Sequence, residues 1–412
     1  MKSDIDALMA EHEIAALLVT GPGTHNPAMT YLTGGALITQ ADLIKKAGRP
    51  AVLYHGAMER DEAAKAGLPT HCYTEIPMRN LMREAGGDAL KAGALRYQYM
   101  LKECGVEAGK VLVYGRVEAG RFYTLLSTLQ KALPDIEFQG DMNELILPQA
   151  MATKDPGEVE RIRRMGALTV EVTGLIADYI TSHAVKNEIL VKPDGLPLTV
   201  GDVKNRINLW LAERSVENPE GTIFSIGRDA AVPHSTGTLT DPLRLGQTII
   251  LDFFPREPGG GYFYDFTRTW SLGYATDEAL RLYEQVRSVY TTLRGELKLG
   301  ESCAGYQLRA CELFTRQGHP TIQATPETTD GYVHSLGHGV GLNIHERPWF
   351  HAARGATADV IQPGAVFTCE PGLYYPDRGL GVRLEDTLYA AADGTISPLA
   401  DYPYDLILPV KK

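Results

Sequence analysis

Two segments of this chain each carry a pair of carboxylates at a spacing that would set them against one another. In TIILDFFPREPGGGYFYDFTRTW, Asp252 sits in an apolar run and Asp265 in an aromatic one, with Pro258-Gly259-Gly260-Gly261 between them. With Arg256 to Gly261 as the loop of a β-hairpin, Pro255 faces Tyr262 and Asp252 faces Asp265. In FTCEPGLYYPDRGLGVRLEDT, Pro376-Asp377-Arg378-Gly379 reads as the turn, and the same count sets Glu370 opposite Glu385. Directly opposed side chains of an antiparallel pair have Cβ atoms about 5 Å apart, where like charges are destabilising. Two bare carboxylates at that distance repel by roughly 3 kcal/mol at an effective dielectric of about 20. Two pairs of matching architecture call for cations, and two divalent ions would bring four carboxylates close to neutral.

Oxygen-rich ligation suits Mn²⁺, Mg²⁺ or Ca²⁺, and an added imidazole moves the preference toward Mn²⁺, Co²⁺, Fe²⁺ or Zn²⁺. The segment GYVHSLGHGVGLNIHERP offers that imidazole in His338, beside glycines (Gly337, Gly339, Gly341) that let backbone approach closely. Ser335 rather than glutamate follows His334, so the HExxH helix of single-zinc enzymes is absent.

The elements that must position these residues fall into two groups. Residues 1–150 alternate strand and helix signals: a short helix from Ser3 to His12, the strands AALLVT, PAVLYHG, KVLVYGR and DIEFQG, and helices through MERDEAAKAG and FYTLLSTLQKAL. That interleaving predicts an α/β domain with a mixed sheet. A boundary falls at Lys154-Asp155-Pro156-Gly157-Glu158. Asp155 is a good N-cap, Pro156 suits the first turn, and Glu158 completes a capping box. Val159, Ile162, Met165 and Leu168 follow at helical spacing and open a second domain over 155–412. Three more helical stretches there (VGDVKNRINLWLAERS, DEALRLYEQVRSVYTTLRGEL, SCAGYQLRACELFTRQG) are interspersed with the two hairpins, which suggests a degenerate internal duplication.

The bulk properties narrow the partners. A chain of 412 residues is long for one core, and 44% hydrophobic with 22% charged residues is an ordinary globular composition. A formal net charge of −11 argues against nucleic acid or an anionic membrane as a general partner. Cys72, Cys104, Cys303, Cys311 and Cys369 are odd in number and lack a CxxC spacing, which favours reduced thiols used for packing. Charges interrupt the amino terminus where a signal peptide needs an apolar segment, and no stretch approaches the length of a membrane span. A cytoplasmic location is expected.

The ordered set Asp252, Asp265, His338, Glu370 and Glu385 resembles the five metal ligands of the pita-bread metallopeptidases, a family with methionine aminopeptidase, aminopeptidase P, prolidase and the metal-free creatinase. The contexts LDFF, YDFTRT, GHGVGLNIHERP, TCEPGLYY and GVRLEDT match as well. The resemblance covers roughly residues 155 to 412. It implies an α+β fold: a carboxy-terminal pita-bread domain preceded by a smaller α/β domain like that of aminopeptidase P, prolidase and creatinase. It also implies two divalent metal ions, manganese first, with cobalt or zinc as alternatives, and a homodimer.

The proline-directed branch resembles this chain in three further histidines, mapping onto His234 in VPHSTGT, His334 and His345. Such histidines would donate to the scissile carbonyl and its oxyanion. Arg383 shares a strand face with Glu385 and resembles the family arginine that pairs with a ligand carboxylate and approaches substrate. Tyr374 resembles a hydroxyl supporting the ligands, and Thr267 shares a face with Asp265 and could orient it. Glu370 would be both ligand and proton carrier. The expected activity is hydrolysis of the bond between an amino-terminal residue and a following proline, as in aminopeptidase P, with proline-containing peptides as partners. The alternative is an Xaa-Pro dipeptidase (prolidase), and a binding module without catalysis is the reading from a different class. Two departures stand out. The Asp252–Asp265 spacing exceeds the family's usual one by an even number, which preserves facing. Some prolidases carry an arginine shortly after HExP to hold the substrate carboxylate, where this chain has Trp349, with Arg347 nearby.

Overall fold

The computed structural model describes residues 1–351 and 359–410. The chain divides into two compact units, Met1–Met151 with Gly259–Gly261, and Ala152–Pro258 with Tyr262–Lys412.

The first unit is built on six strands: β1 (Ile14–Gly21), β2 (Ala41–Lys46), β3 (Val52–His55), β4 (Thr70–Cys72), β5 (Gly109–Gly115) and β6 (Ile136–Gly140). Their spatial order is β4-β3-β2-β1-β5-β6, with β2 antiparallel to both neighbours and the remaining pairings parallel. Helices Ala89–Glu103 and Ala119–Ala132 cover the sheet, and Leu18, Ile44, Tyr97, Met100, Val111 and Leu129 share one core. Strand β2 escapes the sequence reading because its buried residues include Asp42 and Lys45. Asp42 is satisfied by the hydroxyls of Tyr73 and Tyr97, and Lys45 by the Arg49 carbonyl.

In the second unit, helix Pro156–Thr181 starts as its sequence requires: Asp155 accepts from the Glu158 amide, and Glu158 reaches back to the Asp155 amide. Its strands are β7 (Ala184–Lys186), β8 (Ile189–Val191), β9 (Thr222–Ile226), β10 (Thr248–Phe253), β11 (Phe266–Leu272), β12 (His338–Gly339), β13 (Glu346–Trp349), β14 (Val366–Cys369), β15 (Gly372–Tyr375), β16 (Leu380–Arg383), β17 (Glu385–Ala390), β18 (Ile396–Pro398) and β19 (Ile407–Leu408). Nine of them form one sheet in the order β13-β12-β14-β17-β11-β10-β9, with β18 on β17 and β19 on β11. Helices Asp277–Glu296 and Cys303–Arg316 pack Leu282, Val286, Val289 and Phe314 into a core shared with Phe367 and Leu388. Cys303, Cys311 and Cys369 lie in that core as small apolar residues. No helix among the described residues is long and apolar enough to cross a membrane.

The two hairpins compare differently with their predicted registers. In the second, Cys369 opposes Asp386 and Gly372 opposes Arg383, the same count that sets Glu370 against Glu385. In the first, Asp252 opposes Thr267 and not Asp265. The turn is Pro258 to Gly261, closed by the Glu257 amide donating to the Tyr262 carbonyl, where a six-residue loop was expected. Gly259 and Gly260 adopt φ of 76° and 79°, and this tight closure moves the register by two residues. An even slip keeps every side chain on its face, so Asp252 and Asp265 become diagonal neighbours.

Behind the sheet, Lys154 Nζ donates to Glu346 Oε1 at 2.7 Å, with side chains only 2% and 4% exposed. Removing one partner of such a pair strands the other charge. Lys154→Met is expected to lower stability by about 3–5 kcal/mol, and Lys154→Met with Glu346→Leu to recover most of it. Urea unfolding of both variants measures this, and a single variant as stable as the parent would contradict it.

Candidate metal centre

Asp252 is the last residue but one of β10, Asp265 directly precedes β11, His338 opens β12, Glu370 follows β14, and Glu385 opens β17. All five are carried by the large sheet or by residues adjoining its strands. Asp265, His338 and Glu385 each present a ligand atom within 4.8 Å of the others'. His338 Nε2 lies 3.4 Å from Glu370 Oε1 and 3.6 Å from Asp265 Oδ2. His338 can sit there because both flanking glycines are in tight contact with backbone. A Cβ on Gly337 would come within 2.1 Å of the Thr368 carbonyl oxygen, and one on Gly339 within 2.0 Å of Arg347's.

The protonation states define what this arrangement lacks. Burial pushes His338 down to about 3, so the ring is neutral. Its Nδ1 faces the Gly339 carbonyl at 3.1 Å, which can only accept, so the proton belongs there. The lone pair of Nε2 is therefore aimed at two carboxylate oxygens. Burial, Asp252 and Glu370 push Asp265 far above the ordinary carboxylate range, and burial with Asp265, Glu370 and Asp252 does the same to Glu385. Burial also pushes Glu370 up to about 8, with Arg383 opposing the rise and Asp252 adding to it. Asp252 Oδ1 is buried with no hydrogen-bond partner among the described residues. An imidazole lone pair, an orphaned carboxylate oxygen and three more acidic groups make a donor set that fits divalent cations with mixed oxygen and nitrogen preference.

Surrounding hydroxyls and one guanidinium fix the donors. Arg383 Nη2 donates to Asp252 Oδ2 at 2.6 Å, and Nη1 donates to the Tyr374 hydroxyl at 2.7 Å. Thr267 Oγ1 donates to Glu385 Oε2 at 2.6 Å, so it orients Glu385 and not Asp265 as expected. The pairing of β11 with β17 explains this, since Thr267 directly opposes Glu385 there. Thr387 instead holds Asp265, accepting from its amide and donating to its carbonyl. Thr368 accepts from the His338 amide and lies 3.4 Å from Glu370 Oε1. Neither threonine was singled out in the sequence, although each lies two residues from a ligand on the same strand face.

Arg268 was also missed. It is fully buried between the rings of Phe266 and Tyr404, each centroid 4.3 Å from its guanidinium carbon. It pairs with Asp386 and donates to the carbonyls of Thr267 and Glu385, locking together the strands that carry two of the acidic groups.

The three further histidines are placed unequally. His334 Nδ1 faces the Ser335 carbonyl at 2.7 Å, and burial holds the ring neutral, down to about 3. Its Nε2 must then accept from the Tyr374 hydroxyl, 2.9 Å away. Both nitrogens are engaged, so His334 buttresses Tyr374 in this arrangement rather than presenting the expected donor to a carbonyl. His345 is exposed, with its ring centroid 4.2 Å from that of His338. His234 is exposed and follows Pro233, whose carbonyl accepts from Arg383 at 3.4 Å. Arg347 is bound to Asp359, which also accepts from the Trp349 amide at 2.7 Å.

The family described as Metallopeptidase family M24 matches residues 160–392. The chain is 25% identical over 263 residues to the probable dipeptidase PepE of Mycobacterium tuberculosis, covering 64% of this chain and 62% of that protein's length. It is 26% identical over 285 residues to the Xaa-Pro dipeptidase of Lactobacillus delbrueckii subsp. lactis, covering 69% of each. The fold is that of the Xaa-Pro dipeptidase from Bacillus anthracis, with a TM-score of 0.73, 21% identity and coverage of 98% and 99% of the two chains.

The raised carboxylates make the metal-free protein sensitive to pH in a definite direction. Glu370 keeps its proton in the folded state up to about 8, while the ordinary glutamate value of 4.5 governs the unfolded chain. Its contribution is fully present below about pH 4.5 and is lost as the pH rises through about 8. Chelated protein is expected to lose stability across that window, and saturating Mn²⁺ to abolish the loss. Urea melts between roughly pH 5 and 9, with and without the ion, measure it. Parallel stability profiles would contradict a cation-dependent site.

Proposed function

The chain belongs to metallopeptidase family M24, and from that premise we propose that it is an Xaa-Pro dipeptidase with a two-cation centre. The observation that carries this reading is the neutral His338, whose unprotonated Nε2 faces Asp265 and Glu370 in a buried acidic cluster. The named activities of relatives of comparable length support dipeptides over the longer peptides first expected. Asp252, Asp265, His338, Glu370 and Glu385 would hold the ions, manganese first. Bound there, such ions supply Lewis acidity and a water acidified toward neutrality.

The chain's own groups would do the rest. Glu370, a carboxylate beside the ions, would take up a proton and deliver it to the leaving imino nitrogen. Proline's nitrogen leaves as a secondary amine, so proton delivery at that atom matters. Arg383 would hold Asp252 in place and extend through Tyr374 to His334, keeping that carboxylate from turning. His345 and His234, both exposed, would offer imidazole N–H donors to the carbonyl oxygen and to the substrate's carboxylate.

Cleavage of longer peptides remains the competing reading for one reason. Arg347, the cation nearest the position where some prolidases bind a free carboxylate, is already paired with Asp359. A panel of Xaa-Pro and Xaa-Pro-Xaa substrates separates the two. Higher kcat/KM on the dipeptides is the expected result, and a preference for tripeptides would favour the aminopeptidase. Glu370→Gln is expected to lower kcat by about 10²- to 10⁴-fold with little change in KM. Near-parental turnover in that variant would contradict its role.

A further inference from the structure

The amino-terminal unit contains a cavity of about 710 Å³ that the catalytic reading does not use. That volume is in the range of small-molecule sites. Its position follows from the sheet topology. On leaving β1 the chain joins β2 on one side, and on leaving β5 it joins β6 on the other. Strands β1 and β5 are adjacent and parallel. In open α/β sheets, the crevice outside the carboxyl ends of strands at such a reversal is where ligands lodge. Thr20, near the end of β1, and Arg116, directly after β5, both line this cavity.

The lining has three chemically distinct zones. At the floor, Tyr97 donates its hydroxyl hydrogen to the buried Asp42 carboxylate at 2.8 Å. Thr20 Oγ1, 3.3 Å from that hydroxyl, then donates to it. Both hydroxyls have given up their hydrogens, so they offer only lone pairs to the cavity, above a buried acid. The wall is apolar, formed by Leu90, Phe122 and Leu125 among others. At the rim stand Arg121 and Arg116, both exposed, and Arg116 already donates one of its guanidinium hydrogens, on Nη1, to the His25 carbonyl at 3.0 Å. The neighbouring Glu118 carboxylate is engaged in capping its helix, accepting from the amides of Gly120 and Arg121.

A ligand matching these zones carries a hydrogen-bond donor at one end, an apolar body and an anionic group at the other. The geometry points to a second binding site, in the first unit, for an ω-amino carboxylate, a zwitterion whose two charges are separated by an apolar chain, with its ammonium at Thr20 and Tyr97 and its carboxylate at Arg116 and Arg121. This site is independent of the metal centre and does not rest on the catalytic reading.

Isothermal titration of the full-length, metal-loaded protein with 6-aminohexanoate and 8-aminooctanoate tests it. Hexanoate, which lacks the amine, and hexylamine, which lacks the carboxylate, are the comparators. Saturable binding of at least one amino acid is expected, weakened about tenfold in Arg121→Glu, the scale of a lost charge-assisted contact. Leu90→Arg, at the exposed edge of the wall, is expected to weaken it similarly by filling the cavity. Turnover of proline peptides without added amino acid should be unchanged in both variants. Absence of binding up to roughly 10 mM, a range that includes weak sites, would overturn the proposal. So would binding that both variants leave intact, or hexanoate binding as tightly as 6-aminohexanoate.

Discussion

Four carboxylates gathered around one imidazole, three of them buried, are the constraint to which the rest of the second unit answers. Alone, such a group cannot remain fully ionised, because burial and mutual repulsion both favour protonation. Arg383 relieves only Asp252, and the hydroxyl of Thr267 only Glu385. The remaining imbalance is what divalent cations would remove, so the arrangement makes physical sense as a receptor for positive charge. A core of this size could have been sealed with apolar residues at less electrostatic cost.

Holding like charges together requires a stiff frame, and the sheet supplies one. The acidic groups adjoin β10, β11, β14 and β17, which pair with one another in register. Arg268 ties the backbones of β11 and β17 from beneath, clamped between two aromatic rings. On the far strand β13, Lys154 fixes Glu346, the residue next to His345. The chain from Ser335 through His334, Tyr374 and Arg383 to Asp252 is a second restraint, in which each proton has one place to be.

Much of this was legible in the sequence because an acidic residue inside an apolar strand is rare without a reason, and its period-two neighbours share its face. The second hairpin could be registered by counting, since Pro376 and Gly379, at φ 59°, leave its turn little choice. The first could not, because a run of glycines permits closure at more than one place. Parity still put Asp252 and Asp265 on one face. Strand β2 was hidden by its buried charges, of which Asp42 has its partners Tyr73 and Tyr97 far along the chain. The Lys154–Glu346 pair spans 192 residues, a separation across which local patterns carry no information. His334 had the right neighbourhood but a different engagement, set by a tautomer that only the position of the Ser335 carbonyl reveals.

The most direct measurement is the number and position of tightly held divalent ions in the purified, ion-replete protein, by elemental analysis together with anomalous diffraction. Two ions per chain, both within coordinating distance of Asp252, Asp265, His338, Glu370 and Glu385, is the expected result. A stoichiometry well below one, or ions located away from these five side chains, would contradict it.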